Sequence, residues 1–588
     1  VFDSIAVKNL VLYTALISGC VEHGYFDDAI CYYDDMQRCD GISSDGVTYV
    51  CILKACGHLK SIGRGDDIYI EIVKKGFEGD ELVGNTLVDM YAKCGLLERA
   101  QEVFDVLPVF TVVSWTALIA GYVDNGFSEE ALICFEEMKK DGISPNSATF
   151  LCSLKACSSI GDIERGRAIQ SDIPVEIFRR DTSLGNSLVD MYAKCGALHE
   201  AQQVFQQLPI RNIISWNALL AGYTEHGFGD DALDQFAKMQ LEGMSPDAST
   251  LNCCLKACGI IGSLVQSQEM HDIIVMKGLE NANFIGNTLV DVYTKCGLLA
   301  EAQHVFNELS VRTVVSWTAL MSGYVKHNHG ELALNCLRQM ESEGTCPNEV
   351  SFVCALKACG IIQDLDKGKI IQVKIARMGM LENNIAVGNA LVDMYVKCNC
   401  IVEANEIFDL LPVRDVVSWT TLIAGYVVKE AGEEALGCFE RMQLEGISPN
   451  VVTYVCSLQA CGILRNIDKG SELHGEIMRI GLLQRDLIGN SLVDMYAKCG
   501  ELAKAQETFN SLMAQNVVSW TSLIAGYTNH DYAENALACF EEMQSKGITP
   551  NSVTFICILK ACGSIQAIDK GIQIHDQIRS LSMLEKDV

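Results

Sequence analysis

Proline is scarce in this chain, with 9 among 588 residues, and no low-complexity stretch breaks the sequence into segments. A chain of this length would ordinarily divide into several domains, but no linker composition marks a boundary. No run of 18 or more apolar residues occurs, so no membrane-spanning helix is expected, and no membrane partner is expected either. Positive charge is in deficit: 45 Lys and Arg face 75 Asp and Glu, for a net charge of −30. That balance argues against a protein that grips nucleic acid by bulk charge alone. Cysteine is abundant, at 27, but the number is odd. Cys94, Cys195, Cys296, Cys398 and Cys499 close an Ala-Lys-Cys-Gly-type turn, and Cys56, Cys157, Cys258, Cys359, Cys461 and Cys562 a Lys-Ala-Cys-Gly-type turn. Copies one repeat apart do not make a disulfide framework. Cys51 and Cys56 lie five apart, off one helical face and without a recurring histidine, so no zinc and no other cofactor is expected. These thiols read as small, soft residues at a repeated helix crossing.

What the chain does have is a beat. Its tryptophans stand at Trp115, Trp216, Trp317, Trp419 and Trp520, separated by 101, 101, 102 and 101 residues. Around them recur SWTALIAGY, SWNALLAGY, SWTALMSGY, SWTTLIAGY and SWTSLIAGY, and a Gly-Asn-x-Leu-Val-Asp landmark keeps the same period. Self-similarity at a fixed period is the mark of stacked units rather than of one compact domain.

Three related helix–turn–helix patterns divide each module, at 112–146, 147–181 and 182–212, of 35, 35 and 31 residues. Each reads as an apolar run, a Gly or Cys-Gly break, a second run and a short polar exit. In the first, Phe135 and Met138 share one face of the second helix, and Glu129, Glu130, Glu136 and Glu137 fall mainly on the other. Gly142 ends that helix and Pro145 cannot continue it. The expected fold is all-α, a right-handed α-solenoid superhelix of about 17 helix–turn–helix repeats and about 34 short helices, continuous over 1–588. The opening VFDSIAVKNLVLYT aligns with VFDVLPVFTVVSWT from Val103, so the chain reads as beginning inside a motif. The lack of a targeting segment therefore says nothing about compartment.

The 35/35/31 triplet, V-V-S-W-T-A-L-I-A-G-Y, LKACG and GN-x-LVDMYAKCG with VF-x-x-LP-x-R-(N/D) resemble the pentatricopeptide repeat family of plant organelle RNA-binding proteins, in its P-L-S subclass. The resemblance covers essentially the whole chain. It divides the sequence into a partial S-type motif at 1–9 and P, L and S motifs at 10–45, 46–80 and 81–111; 112–146, 147–181 and 182–212; 213–247, 248–282 and 283–313; 314–348, 349–384 and 385–415; 416–450, 451–485 and 486–516. A P motif at 517–551 and an L motif with tail at 552–588 complete it.

The resemblance implies that each motif faces one unstacked base of single-stranded RNA, with the 5′ end at the N-terminal motif. The fifth and last residues of a motif then contact the base edge. In the P motifs these pairs are Thr14 with Asp45, Thr116 with Asn146, Asn217 with Asp247, Thr318 with Asn348, Thr420 with Asn450 and Thr521 with Asn551. In the S motifs they are Asn85 with Thr111, Asn186 with Asn212, Asn287 with Thr313, Asn389 with Asp415 and Asn490 with Asn516. An apolar second residue, Val11, Val113, Ile214, Val315, Val417 or Val518, would wedge against the base face. Amides and hydroxyls donate and accept whereas Asp only accepts, so short polar pairs can tell Watson–Crick edges apart. The other reading of Asn, Asp and Thr near a helix start is the helix N-cap. Under the family's code Thr/Asn favours A, Thr/Asp G, Asn/Asp U, Asn/Asn C, and Asn/Thr a pyrimidine. The L motifs depart from the pattern, with Val50, Leu151, Asn252, Val353, Val455 and Ile556 at the fifth position.

Lys93, Lys194, Lys295, Lys397 and Lys498, with Lys54, Lys155, Lys256, Lys357 and Lys560, recur in the first helices, while acids crowd the second ones. The first five are expected to contact phosphates as a basic stripe; the alternative is that they complement helix C-termini. Many P-L-S proteins carry a zinc deaminase whose signature is His-x-Glu followed by Pro-Cys-x-x-Cys. His474-Gly-Glu476 matches the first half, but its copies read His271-Asp-Ile273 and His575-Asp-Gln577, and Pro-Cys-x-x-Cys is absent. No catalysis is expected of this chain. The resemblance implies sequence-specific binding of single-stranded RNA, not DNA, in a plastid or mitochondrion, as the recognition arm of a C-to-U editing factor. Editing co-factors or a deaminase-bearing protein would be its partners. The alternatives are a protein-interaction scaffold and an RNA stabilisation or processing factor without editing.

Overall fold

The computed structural model of the chain describes residues 9–38, 42–279 and 282–580. The motif fragment expected at 1–9 lies, but for residue 9, outside the described residues, as does the tail from 581. The secondary structure of the described residues is helical, as short antiparallel pairs. The chain falls into two compact units, Val1–Cys296 and Gly297–Val588. The first holds eight helix pairs and the helix Asn283–Lys295; the second holds the helix Leu299–Glu308 and eight further pairs.

The register of the helices follows from their caps. Val112–Asp124, Ser147–Ile160 and Thr182–Lys194 each begin at the residue that opens a sequence motif, and the same holds in the later modules. The residue before each start has extended backbone, and Asn, Asp or Thr there caps the orphan N–H groups of the first turn. Second helices stop at Gly142, Gly243, Gly344, Gly446 and Gly547, all with φ near +75°, a conformation costly for any residue with a Cβ.

Within each unit the first helices of successive motifs pack on one another, and each second helix packs on its own first helix. The core is correspondingly thin and repetitive. Trp115, Trp216, Trp317, Trp419 and Trp520 are buried, each ring edge-on to the phenylalanine of the preceding second helix, with centroids 4.4–4.6 Å apart. The arginine of the LP-x-R exit ties neighbouring motifs together. Arg211, Arg414 and, after Leu-Ser-Val, Arg312 lie 5.2 Å over Phe205, Phe408 and Phe306, and pair with Glu242, Glu445 and Glu343 at the C-cap of the next motif's second helix.

Two features differ from the sequence reading. The Cys-Gly of the 46–80-type motifs does not break its helix: Gly46–Leu59 runs through Cys56 and Gly57. Gly57 instead allows close approach, since a Cβ there would meet the Cα of Met90 at 3.3 Å. Short helical turns at Val175–Arg180, Met380–Asn383 and Leu482–Gln484 are added ahead of Thr182–Lys194, Ile385–Lys397 and Asp486–Lys498. The cysteines of the two turn types meet at a helix crossing, with the Cys195 thiol 3.8 Å from the Cys157 carbonyl and the Cys499 thiol 3.9 Å from the Cys461 carbonyl. Burial pushes the Cys157 and Cys461 thiols up to about 12, so they are protonated, poorly nucleophilic packing groups.

Candidate nucleic-acid interface

One edge of the first-helix layer carries the residues singled out above. The last residue of each motif expected from the sequence to face a base is the N-cap of the next first helix. Asp45, Thr111, Asn146, Asn212, Asp247, Thr313, Asn348, Asp415, Asn450, Asn516 and Asn551 all accept from the N–H of the third helical residue. Both sequence readings of these positions therefore concern the same side chain. The cap consumes one acceptor and fixes the orientation. An Asn whose Oδ1 is held by the helix turns its NH2 away, whereas an Asp turns its second carboxylate oxygen away.

The fifth residue meets this cap in two ways. After a 31-residue motif the contact is direct: Asn186 donates to Asn212 at 3.3 Å, Asn389 to Asp415 at 3.1 Å and Asn490 to Asn516 at 3.3 Å. Asp415 only accepts, so the Asn389 amide must present its NH2 to it and leave Oδ1 facing elsewhere. The Oδ1 atoms of Asn85, Asn186, Asn287, Asn389 and Asn490 are buried with no hydrogen-bond partner. A buried orphan carbonyl costs about 1–3 kcal/mol unless something supplies a donor. For Asn287 and Thr313 the two residues belong to different units and are described separately: Asn287 lies in Asn283–Lys295, and Thr313 caps Val314–Lys326.

In the 35- and 36-residue motifs that carry Thr14, Thr116, Asn217, Thr420 and Thr521, the contact runs through a hydroxyl that sequence reasoning missed. The third residue of the following helix, Thr48, Thr149, Thr250, Thr453 or Thr554, is fully buried. It lies 2.7–2.8 Å from the hydroxyls of Thr14, Thr116, Thr420 and Thr521, and Thr250 donates to Asn217 Oδ1 at 2.6 Å. Each also bonds to the last residue of the same pair, and Asn217 donates to Asp247 directly at 3.1 Å. Thr318 is the exception, donating to the carbonyls of Val314 and Val315. Burial works to raise the Asp247 and Asp415 carboxyls, but hydrogen bonds from Thr250 and Asn217, and from Ser418 and Asn389, outweigh it and hold both below the usual range. Both remain ionised acceptors at neutral pH.

Beside each pair the second residue is left uncovered. Val11, Val113, Ile214, Val315, Val417 and Val518 are 50–74% exposed, and Leu82, Phe284 and Leu487 of the 31-residue motifs are exposed likewise. A regular row of uncovered apolar side chains marks a surface that something covers. At one position the three features enclose an open cleft of about 500 Å³, lined by Asn389, Asp415, Ala386 and Val417, with Lys357 at its edge.

The lysines are placed differently from a free stripe. Lys93, Lys194, Lys295, Lys397 and Lys498 each pair at 2.7–2.8 Å with the aspartate four residues earlier, Asp89, Asp190, Asp291, Asp393 and Asp494. Lys155 pairs with Asp124 at 2.8 Å. These pairs are half-exposed and weak, so a polyanion could compete for the ammonium groups, but their net field is small. His474 belongs to packing: its Nδ1 lies 2.9 Å from the Tyr496 hydroxyl, as that of His271 lies 2.7 Å from Tyr293, and burial lowers its pKa. Among the described residues no group of three or more His, Cys, Asp or Glu is arranged to hold a metal.

Family models described as PPR repeat family match residues 8–58, 111–159, 211–259, 312–360, 414–462 and 515–564, and PPR repeat models match 85–108, 186–213, 287–313, 389–416 and 490–517. The chain belongs to the pentatricopeptide repeat family. A pentatricopeptide repeat-containing protein of Arabidopsis thaliana is 33% identical over 561 residues, covering 95% of this chain and 67% of the relative. Two further Arabidopsis relatives are a mitochondrial one, 33% identical over 92% of this chain and 62% of its own, and a chloroplastic one, 30% identical over 96% and 64%. The chain thus spans about two thirds or less of these relatives. Maize PPR10, crystallised in complex with an 18-nt psaJ RNA element, shares the fold with a TM-score of 0.60 at 19% identity, over 100% of this chain and 86% of that one.

Proposed function

We propose that this pentatricopeptide repeat chain reads single-stranded RNA, one base per P-type or S-type motif, with the L-type motifs as spacers. The observation that carries the reading is the recurrence, in one register, of a capped polar pair beside an uncovered apolar side chain. The capping geometry supplies a physical basis for the code. An Asn whose Oδ1 is committed to the helix offers an N–H donor, which suits N1 of A and N3 of C. An Asp offers an acceptor, which suits N1–H of G and N3–H of U. Thr at the fifth position is short and leaves room for a purine; Asn reaches further and suits a pyrimidine. In the two Asn/Asn motifs the orphaned Oδ1 atoms of Asn186 and Asn490 would take the exocyclic amino group of a cytosine.

The crystal structure of PPR10 with an 18-nt RNA element, and the organelle names of the Arabidopsis relatives, support an RNA ligand and a plastid or mitochondrial setting. The 35/35/31 spacing supports the P-L-S subclass and, through it, the recognition arm of a C-to-U editing factor. The expected result is preferential binding of an unpaired RNA over the same sequence held in a hairpin stem, because A-form grooves hide the edges being read. Raising the salt should weaken binding as phosphate contacts from Lys93, Lys194, Lys295, Lys397 and Lys498 are screened. Equal affinity for stem and open strand, measured by filter retention or fluorescence anisotropy, would contradict the reading.

A further inference from the structure

We infer that the hydroxyl at the third residue of the motif that follows each P motif is a positioning residue for base discrimination, acting through the reading pair before it. The inference rests on the base-reading role proposed above. Its starting point is a pattern within the chain. Where the preceding motif is P-type, the third residue is Thr48, Thr149, Thr250, Ser351, Thr453 or Thr554, and all six are fully buried. Where the preceding motif is L-type, the same position is aliphatic: Val83, Leu184, Ile285, Val387 or Ile488. The hydroxyl accompanies a reading pair and is absent where there is none.

A capping box alone would explain a Ser or Thr at this place, and two motifs with the same reading pair separate the two roles. In 112–146 the pair is Thr116 with Asn146, and Thr149 does both jobs. Its N–H donates to Asn146 Oδ1 at 2.9 Å, and its hydroxyl lies 3.0 Å from that atom and 2.7 Å from the Thr116 hydroxyl. In 314–348 the pair is Thr318 with Asn348, and Ser351 keeps the whole cap: its N–H and hydroxyl reach Asn348 Oδ1 at 3.0 and 2.9 Å. The bridge is gone, however. The Ser351 hydroxyl lies 3.9 Å from the Met340 sulfur, and Thr318 keeps only the bonds to carbonyls of its own helix, of the kind Thr116 also makes to Val112 at 2.6 Å. Threonine's γ-methyl holds χ1 in the stiff manner of a β-branched side chain, and serine has no such restraint. With the bridge, fifth and last residues present their groups as one coupled unit; without it, the fifth hydroxyl is oriented by the Val314 and Val315 carbonyls alone and is not tied to the last residue.

The chain therefore contains its own comparison. Discrimination of A from G should be weaker opposite 314–348 than opposite 112–146, by roughly three- to tenfold, the worth of one net hydrogen bond. Thr149→Ser should lower the A/G ratio opposite 112–146 towards that of 314–348, and Ser351→Thr should raise the latter. Each swap removes or adds one buried methyl group and so shifts the melting midpoint, but neither should change the preference at other bases, as a general structural role would. The experiment measures affinities for RNAs carrying A or G opposite each of the two motifs, for the parent and both variants, with Asn146→Asp as the control of the reading itself. If Asn146→Asp exchanges the preferred base while the two hydroxyl swaps leave both ratios unchanged, base reading stands and the positioning role is overturned. If Asn146→Asp changes nothing in a folded protein, the reading at that motif fails and the positioning role falls with it.

Discussion

Asn450→Asp is expected to exchange the preferred base opposite 416–450 from A to G, with a change in relative affinity of roughly one to two decades at that base alone. The substitution is unusually clean, because Asp caps as well as Asn. Asn450 accepts from the N–H of Thr453 at 2.9 Å, and Asp247 makes the same bond to Thr250 at 2.8 Å. The helix Val451–Leu464 therefore keeps its start. What changes is the group turned outward, from an amide that donates to a carboxylate oxygen that only accepts. A titration with RNAs differing only at this base checks it. An unchanged A/G preference with folding intact would leave Asn450 a cap and nothing more.

Trp419→Ala should act on the other side of the account, lowering stability by about 3–5 kcal/mol without altering which bases are preferred. Trp419 is fully buried, edge-on to Phe408 at 4.6 Å, with the Arg441 guanidinium 5.3 Å from its ring. Truncation would leave a cavity where the second helix of one motif meets the first helix of the next. Each motif of a repeat array contacts only its neighbours, so the loss spreads as local unfolding around that joint. Chemical denaturation should register it, and affinity should fall for every RNA with the order of preference retained. A variant that folds as stably as the parent, or one that selects a different base, would contradict this placement.

Much of this was legible in the sequence, because a repeat prints its structure many times. The start of each first helix could be read from Asn, Asp or Thr ahead of an apolar run, and the end of each second helix from Gly142 and its copies. The buried face carrying Phe135 and Met138 followed from helical spacing. Other features depended on neighbours that the sequence does not display. Gly57 looked like a helix breaker, yet its role is to admit the Met90 backbone of the next motif, a contact between residues 33 apart. The turn Val175–Arg180 is too short to leave a periodic signal. The pairing of Lys93 with Asp89 was in plain view as an i, i+4 charge pair in VDMYAK, and the charge pattern read by helix layer obscured it. The buried hydroxyls at Thr48, Thr149 and their copies were visible as letters, but their contact with both the fifth and the last residue shows only in the structure.

The most direct test of the central claim is selection of bound sequences from a random RNA pool. Read from the 5′ end, with Y a pyrimidine and n unspecified, the account predicts a consensus approaching G-n-Y-A-n-C-U-n-Y-A-n-U-A-n-C-A-n. The fixed letters should stand opposite the motifs that carry capped pairs, and the unspecified ones opposite 46–80, 147–181, 248–282 and their later copies. A enriched opposite 112–146, 314–348, 416–450 and 517–551 would support the reading. A consensus without A at those places, or no consensus at all from a folded protein that retains RNA, would contradict it.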